Sequence, residues 1–332
     1  MEITSKYRPP YWLFNGHLQT IYPALFRKVE LEGCERERID TPDGDFLDLD
    51  WYRNGQKKLA ILCHGLEGSS DRAYMKGAAR ALIAKGIDVL CWNYRGCSGE
   101  MNRRPRFYHS GATDDLDTVV GHALSKNKYN GLFLMGFSLG GNLVLKYLGE
   151  RGDALRPEIS RGMALSVPLD LAGSSREIAR PKNYLYEQRF LKSLKRKVSL
   201  KAALGLIDVD PNQLKKVVSV WEFDDQFTAP LHGFANAEDY YEKCSSLGFL
   251  DKISVPTLIL NARNDSFLAD TCYPHDKLKD HPFVSLITPA RGGHVGFASE
   301  NSSGTYWHEK LATVFFTASN PQVDLRKCKK MT

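Results

Sequence analysis

The sequence predicts an α/β fold built on a mostly parallel, eight-stranded sheet with helices on both faces. Short apolar runs alternate with amphipathic segments along the chain, as in residues 58–63 and 72–85. Repeated strand–helix units of this kind pair their strands in parallel and place helices on both faces. The alternation breaks after Pro168 and resumes at 257–262, which indicates a helical insertion after the sixth strand.

The first two strands are predicted within residues 36–53, where two alternating runs flank Pro42 and Gly44. Both residue types favour a tight turn, so this segment is typical of an antiparallel hairpin at a sheet edge. Beyond it, the period of the apolar residues distinguishes strands from helices. The remaining strands are predicted at 58–63, 87–92, 131–136, 160–167, 257–262 and 283–288, and the main helices at 72–85, 112–126, 139–150 and near 305–318.

A serine flanked by glycines stands where a predicted strand meets a predicted helix. Residues 132–141 are an apolar run that ends in Gly-x-Ser-x-Gly around Ser138. Only small residues can pack two positions before and after the serine of so tight a turn, and Gly136 and Gly140 stand there. The turn lifts the hydroxyl to the top of the sheet, where it can attack a carbonyl. Ser138 is therefore the candidate nucleophile, rather than a serine in an ordinary turn.

Two further residues complete a candidate catalytic triad. Asp265 follows the predicted strand at 257–262, and His294 lies in a Gly-Gly-His loop after the last strand. A serine hydroxyl is a poor nucleophile near neutral pH and needs a base. His294 would take its proton, and Asp265 would fix the imidazole tautomer and stabilise the imidazolium. Asp225 and Asp270 also lie in plausible loops, but only Asp265 directly follows the seventh strand.

Backbone amides supply the fourth element of the candidate site. The apolar strand at 58–63 ends in His64-Gly65. In a Ser-Asp-His enzyme with this chain order, one oxyanion donor follows the nucleophile and the other lies in the loop after the third strand. The N–H groups of Leu139 and Leu66 hold those positions.

The chain resembles α/β-hydrolases of the YheT-like group, also called AB hydrolase 4, which is related to the ABHD-type lipid hydrolases. The resemblance spans roughly residues 8–318 and implies an α/β-hydrolase fold and carboxylic-ester hydrolysis, without indicating the substrate. The segments that carry it are Asn-Gly-His-Leu-Gln-Thr at 15–20, His-Gly-Leu-Glu-Gly at 64–68, Asn-Tyr-Arg-Gly-Cys-Ser-Gly at 93–99 and Tyr-His-Ser-Gly at 108–111.

The insertion defines the predicted domain organisation. Residues 170–235 are rich in Lys, Arg and aromatic side chains and show helical patterns without a clear strand. This fold carries its cap between the sixth and seventh strands, so we expect a helical lid over the active site. The predicted parts are an N-terminal arm over 1–35, an α/β-hydrolase core over 36–169 and 236–320, the cap over 170–235 and a C-terminal tail over 321–332.

The function predicted from these residues is cleavage of carboxylic esters through an acyl-enzyme on Ser138. Aromatic side chains crowd the expected cap and rim, which favours a small-molecule ester with an apolar acyl chain, short or lipid-like. Phe223 and Phe227 are the predicted substrate contacts. An acyltransferase with the same triad and a non-catalytic binding protein on this scaffold are the alternatives. The aromatic residues concerned are Tyr184, Tyr186, Phe190, Trp221, Phe223, Phe227 and Phe234.

Composition excludes several other classes. The net charge of +6, from 45 basic and 39 acidic residues, is too small for its length to indicate nucleic-acid binding. No cluster has metal-ligand spacing and no Gly-x-Gly-x-x-Gly follows a strand, so we expect neither metal nor cofactor. No apolar stretch approaches the ~20 residues that cross a bilayer. The basic tail at 326–330 allows at most peripheral membrane contact.

The chain is expected to be cytoplasmic. Its N-terminus has no apolar segment of the signal-peptide kind, and its seven cysteines have no pairing pattern. The sequence leaves two histidines open. His109 could line the pocket or tie a loop by a hydrogen bond, and His17 could brace the active site or belong to an arm that only packs on the core.

Overall fold

The computed structural model describes residues 2–3, 7–126, 128–300 and 304–319. Its centre is one sheet, with nine strands among these residues in the order β1-β9-β8-β7-β6-β4-β5-β3-β2. The eight predicted strands are all present, and the two-residue strand β1 adds a ninth at the edge beside β9. The strands are β1 (Glu2–Ile3), β2 (Glu35–Asp40), β3 (Phe46–Tyr52), β4 (Lys58–Cys63), β5 (Asp88–Asn93), β6 (Gly131–Phe137), β7 (Ile159–Leu165), β8 (Thr257–Leu260) and β9 (Val284–Ile287).

Helices follow most strands. Beyond the α-helices there is a five-residue π-helical turn at Asp224–Thr228 and short 3₁₀ turns. The α-helices are α1 (Gly16–Phe26), α2 (Ala73–Ile83), α3 (Thr113–Ser125), α4 (Leu139–Arg151), α5 (Leu171–Ile178), α6 (Tyr184–Ala203), α7 (Pro211–Lys216), α8 (Val220–Phe223), α9 (Ala229–Leu231), α10 (Ala237–Cys244), α11 (His275–Leu278) and α12 (Trp307–Thr317).

The pairing of the strands follows their connections. β2 and β3 form the expected antiparallel hairpin, and β3 also pairs antiparallel with β5. All other neighbours are parallel, because a helix or a longer connection returns the chain to the same end of the sheet. The carboxyl ends of β4, β6, β8 and β9 therefore meet at one edge, where the loops after them can share a site.

Alternation along β6 shows how the two faces of the sheet are covered. Leu132 and Leu134 pack in a core that includes residues of α3 and α4. Phe133, Met135 and Phe137 point to the other face, into a core shared with α2 and α12. Every residue of β6 is buried, as expected for a central parallel strand covered on both sides. The serine loop that follows β6 is thus anchored on a rigid strand.

A helical segment separates β7 from β8. Helices α5 to α10 run from Leu171 to Cys244, and the whole of α10 lies after residue 235, the predicted end of the insertion. Part of this segment has an apolar core of its own, in which residues from α6, α7 and α8 pack around Phe107 of the main domain. The cap boundary at 170–235 and the other domain limits remain predictions.

The N-terminal segment lies against α12 and the residues before it. Leu13 is buried with Ala298 and Tyr306, and Arg27 forms an ion pair with Glu309 of α12 at 2.6 Å. The predicted tail over 321–332 lies outside the described residues. Within the ranges that the structure covers, no helix combines the length and the apolar character that a bilayer crossing needs.

Candidate active site

Ser138 occupies a strained turn between β6 and α4. Its backbone has φ 54° and ψ −119°, a conformation that costs a non-glycine residue roughly 1–3 kcal/mol and persists only where the surroundings enforce it. The turn is tight: a Cβ atom on Gly140 would lie 2.3 Å from the Cys63 carbonyl oxygen, and one on Gly136 would lie 2.1 Å from the Gly140 oxygen. Glycine is therefore required on both sides of the serine.

The three predicted triad residues meet at the carboxyl edge of the sheet. Ser138 Oγ lies 2.9 Å from His294 Nε2, and His294 Nδ1 lies 2.7 Å from Asp265 Oδ2. A carboxylate only accepts hydrogen bonds, so Nδ1 carries the ring proton and Nε2 is free to accept from the serine hydroxyl. The Asp265 side chain is fully buried and its Oδ1 accepts from the Phe267 amide at 3.0 Å, which fixes the carboxylate in place.

The loop that carries His294 is held by the N-terminal segment. The amide of His294 donates to Thr20 Oγ1 at 2.9 Å, and the amide of Gly292 donates to Gln19 Oε1 at 2.7 Å. Gln19 also accepts from Asn264, and Asn264 in turn accepts the Gly293 amide. Thr20 and Gln19 are thus positioning residues for the histidine, a role that the sequence analysis did not assign to them individually.

The candidate oxyanion loop follows β4. The Gly65 amide donates to Tyr74 Oη at 3.0 Å and the Glu67 amide donates to Tyr108 Oη at 2.8 Å. Between them, the Leu66 amide has no acceptor in the part of the chain that the structure describes, and neither has the Leu139 amide beside the serine. Both leucines border the cavity above Ser138, so two backbone donors are free for an incoming oxygen.

An ion pair ties this loop to the longest helix of the inserted segment. Lys197 Nζ on α6 lies 2.8 Å from Glu67 Oε1, and the two side chains are 15% and 7% exposed. Ser193, one turn earlier on α6, donates to the other carboxylate oxygen. Tyr108 donates to Glu67 Oε1 at 2.7 Å while its oxygen receives the Glu67 amide. The conformation of the loop, with Glu67 at φ 53°, is therefore braced from the helix above it.

The serine opens into a largely apolar cavity. It encloses about 920 Å³ of space, including the mouth that opens to solvent, and is lined from both the sheet edge and helices α5, α6, α8 and α10. Ser138 forms part of its wall, so a bound ester group can reach the nucleophile. The apolar lining residues are Leu66, Phe107, Leu139, Pro168, Leu171, Ile178, Phe190, Leu194, Val220, Phe223 and Phe267.

Phe223 and Phe227, predicted together as substrate contacts, take different positions. Phe223 lines the cavity, whereas Phe227 is not among the lining residues. Phe227 is buried in the apolar core of the inserted segment, with its ring centroid 5.4 Å from that of Phe223. Phe223 can therefore contact a substrate directly, whereas Phe227 packs beside the Phe223 ring.

The competing acids lie away from the histidine. Asp225 is exposed and accepts the Ala237 amide at 2.9 Å, and Asp270 is exposed at the start of a 3₁₀ turn. His64 is buried, and burial lowers its pKa to about 3, so the ring stays neutral. It contacts the Gly65 carbonyl oxygen at 2.8 Å and shapes the loop.

The two histidines whose roles the sequence left undecided, His109 and His17, both lie near the candidate site. His109 lines the cavity and also ties its own loop, because its Nδ1 accepts the Gly111 amide at 3.2 Å. His17 Nδ1 lies 3.1 Å from Tyr186 Oη, and the two rings stack at 5.7 Å. The N-terminal segment thus touches α6 as well as the His294 loop. In the residues covered by the structure, no three His, Cys, Asp or Glu side chains are grouped to hold a metal ion.

Comparison with known proteins identifies the family. A family model described as the alpha/beta hydrolase fold matches residues 59–301, more than half of the chain. The chain belongs to the α/β-hydrolase family. This hydrolase is 34% identical to the Escherichia coli (strain K12) protein named "Putative esterase YheT", over 93% of this chain and 90% of that protein.

More distant relatives agree with this assignment. The mouse phospholipase ABHD3 is 30% identical over 89% of this chain and 74% of its own. The predicted membership of the YheT-like group with ABHD-type relatives is thereby confirmed. The solved structure of the Pyrococcus furiosus esterase Pf2001 superposes with a TM-score of 0.51 at 20% identity, covering 80% of this chain and 89% of that one. This likeness confirms the predicted α/β-hydrolase fold.

Proposed function

We propose that this ester hydrolase is a serine enzyme that works through an acyl-enzyme on Ser138. His294 Nε2 takes the hydroxyl proton as Oγ attacks the ester carbonyl carbon. The tetrahedral oxyanion is stabilised by the Leu66 and Leu139 amides, and His294 then gives the proton to the departing alcohol oxygen. Water attacks the acyl-enzyme with His294 again as base, and the proton returns to Ser138 as the acid leaves.

The observation that carries this proposal is the continuous chain of contacts from Asp265 to Ser138. Both hydrogen-bond distances, 2.7 Å and 2.9 Å, lie within the range that proton transfer requires. The Leu66 and Leu139 amides on the cavity wall, which have no acceptor among the described residues, add the electrostatic part of the mechanism. The Asp265 carboxylate accepts from the ring and stabilises the imidazolium that forms in each half of the cycle.

The substrate we propose is an ester with an apolar acyl chain. The walls next to Ser138 are formed by aliphatic and aromatic side chains, which gain free energy by removing a hydrocarbon chain from water. Residues 170–235 act as a cap that controls entry, since Phe190, Leu194 and Phe223 of this segment line the cavity. The esterase and phospholipase names of the relatives support the same substrate class.

The cysteines favour a reducing compartment, and we propose the cytoplasm. Six cysteines lie in the described residues, all as free thiols, and four of them are buried. Free cysteine in a protein core behaves as a small apolar residue, so these thiols need no oxidising environment.

The test is covalent labelling of Ser138. A fluorophosphonate probe is expected to label the wild-type protein, and mass spectrometry should find the adduct on Ser138. Ser138→Ala should remove labelling and lower kcat for p-nitrophenyl esters by ~10⁴-fold or more while circular dichroism stays unchanged. A folded Ser138→Ala protein that keeps its esterase activity would refute the mechanism.

Product analysis in the presence of an added alcohol tests the acyltransferase alternative. The proposal requires free acid as the main product even when an alcohol acceptor is added. A predominance of transfer product at equal consumption of ester would replace the hydrolase with a transferase that uses the same residues.

A further inference from the structure

One part of the cavity wall is polar. Asp224, at the start of the π-helical turn Asp224–Thr228, lines the cavity together with side chains from α5, α10 and the loop before α3. A carboxylate is out of place in a pocket for a hydrocarbon chain, because desolvating it costs free energy unless it has a partner. A single-turn π-helix is also often found at functional sites.

The partners of Asp224 are hydroxyl groups. Its Oδ1 accepts from Thr228 Oγ1 at 2.6 Å and its Oδ2 accepts from Tyr241 Oη at 2.6 Å. Tyr241 Oη lies 3.1 Å from Ser175 Oγ, which extends the chain of hydroxyls along the wall. No cation of the described residues forms an ion pair with this carboxylate, and burial raises its pKa to about 6. A carboxylate has about four acceptor sites and each oxygen of Asp224 accepts one hydrogen bond from the described residues, so each can accept another.

Donor groups lie on the same wall. Tyr240 Oη accepts the Ser110 amide at 3.0 Å, so its own proton remains available to donate. His109 accepts the Gly111 amide at Nδ1, and burial lowers the pKa of this ring, so the neutral ring carries its proton on Nε2. The wall thus offers acceptors and donors together. A hydroxyl group, which both donates and accepts, matches that combination better than an ammonium group, which only donates.

We propose that Asp224 binds a hydroxyl group carried by the substrate away from its scissile carbonyl. This subsite rests on the proposed function, since it selects among esters that Ser138 cleaves. The hydroxyl can belong to the acyl chain or to the alcohol portion, because both portions of an ester enter the same cavity. An ester that lacks the hydroxyl leaves the carboxylate desolvated without a new partner, so the enzyme discriminates against it.

Matched ester pairs test the proposal. One series compares p-nitrophenyl esters of hydroxyl-ended fatty acids with the unsubstituted esters of the same chain length. A second series compares alkyl esters whose alcohol portion does or does not end in a hydroxyl. We expect wild-type kcat/KM to favour the hydroxylated member of at least one series by about 10-fold, as for one hydrogen bond to a charged group. Which series responds identifies the portion that reaches Asp224.

Variants assign the preference to the carboxylate. Asp224→Ala should abolish the preference, and Asp224→Asn, which keeps the shape and one acceptor, should reduce it in part. The ratio is measured within each preparation, so a loss of folded protein cancels. Asp225→Ala is the matched control, because the Asp225 carboxylate is next to Asp224 in sequence but is exposed and does not line the cavity. This variant should keep the wild-type ratio.

Three outcomes would overturn the subsite: equal rates for both members of both series, an unchanged ratio in Asp224→Ala and Asp224→Asn, or a stronger preference for amino-ended esters. Labelling by the fluorophosphonate separates these from a failure of the proposed function. A protein that reacts with the probe and cleaves unsubstituted esters, yet ignores the hydroxyl, refutes the subsite alone. A protein that does neither refutes the serine mechanism.

Discussion

Lys197 and Glu67 form an ion pair that joins helix α6 to the loop carrying the candidate oxyanion donor Leu66, with Nζ 2.8 Å from Oε1. Both side chains are largely buried, so neither charge is well solvated if the other is removed. The residue that follows Leu66 is thus fixed by a contact from the inserted segment. This ion pair and the Ser193 hydrogen bond couple the position of that segment to the geometry of the candidate oxyanion loop.

Lys197→Met is expected to lower kcat by about 10-fold with a smaller change in KM, because the loop loses one of the contacts that hold Glu67 and the Leu66 amide is positioned less well. It should also lower the melting temperature, since Glu67 is left buried without its cation. The double variant Glu67→Gln, Lys197→Met should recover part of the stability but not of kcat. Lys243→Met, which removes an exposed ion pair with Asp239, serves as the control and should leave both quantities unchanged. If Lys197→Met lowers the melting temperature but leaves kcat normal, the ion pair stabilises the fold without positioning the Leu66 amide.

Asp265→Asn should lower kcat by roughly 10⁴-fold, because the amide favours the wrong imidazole tautomer. Asp225→Asn should change kcat far less, since the exposed Asp225 accepts the Ala237 amide and forms no hydrogen bond to His294 in the described part of the chain. Steady-state kinetics of both variants with one p-nitrophenyl ester make the comparison. A larger loss of kcat in Asp225→Asn than in Asp265→Asn would identify Asp225, in the π-helical turn, as the acid of the triad.

Phe223→Ala should shift the preferred acyl length, because it enlarges the cavity wall. Phe227→Ala should chiefly lower stability, by about 3–5 kcal/mol for a buried phenylalanine, and keep the chain-length profile. Hydrolysis of a p-nitrophenyl ester series and urea unfolding measure the two effects. Identical profiles for Phe223→Ala and wild type would show that the substrate chain does not reach this wall.

Thr20→Val should lower kcat by about 10-fold, because the partly buried amide of His294 loses its acceptor and the ring loses its fixed position. Thr20→Ser keeps the hydroxyl and should restore the wild-type value. Thr118→Val is the matched control, since the Thr118 hydroxyl donates to the carbonyl four residues earlier as that of Thr20 does, but holds no loop. If Thr20→Ser is as slow as Thr20→Val, the hydroxyl is not what positions the histidine.

Much of the candidate site could be predicted because its signals are local. The turn at Ser138 requires glycine at fixed offsets, and Asp265 and His294 lie in the loops after strands whose apolar runs are easy to recognise. The different positions of Phe223 and Phe227 could not be predicted, because the crowding of aromatic residues in the expected cap does not say which of them reach the cavity. Phe223 lines it, and Phe227 packs beside the Phe223 ring in the apolar core of the inserted segment.

Contacts between distant segments could not be predicted. The ion pair of Glu67 and Lys197 joins residues 130 positions apart, and the bond from His294 to Thr20 spans 274. Nothing in the residue types at these positions distinguishes such a partner from a solvated side chain. They become visible only when the fold brings the segments together.

Residues 15–20 of the N-terminal segment also matter for protein engineering. The region that matches the family model begins at residue 59, so a minimal protein cut to that region would keep Ser138, Asp265 and His294 but lose Gln19 and Thr20. Such a fragment would also lack β2, β3 and α12, and the amides of residues 292 and 294 would be left to water. A bulky fusion placed directly before residues 15–20 could likewise displace Gln19 and Thr20 from the His294 loop. Shortened or tagged versions of this enzyme should therefore be judged by their turnover rather than by their yield.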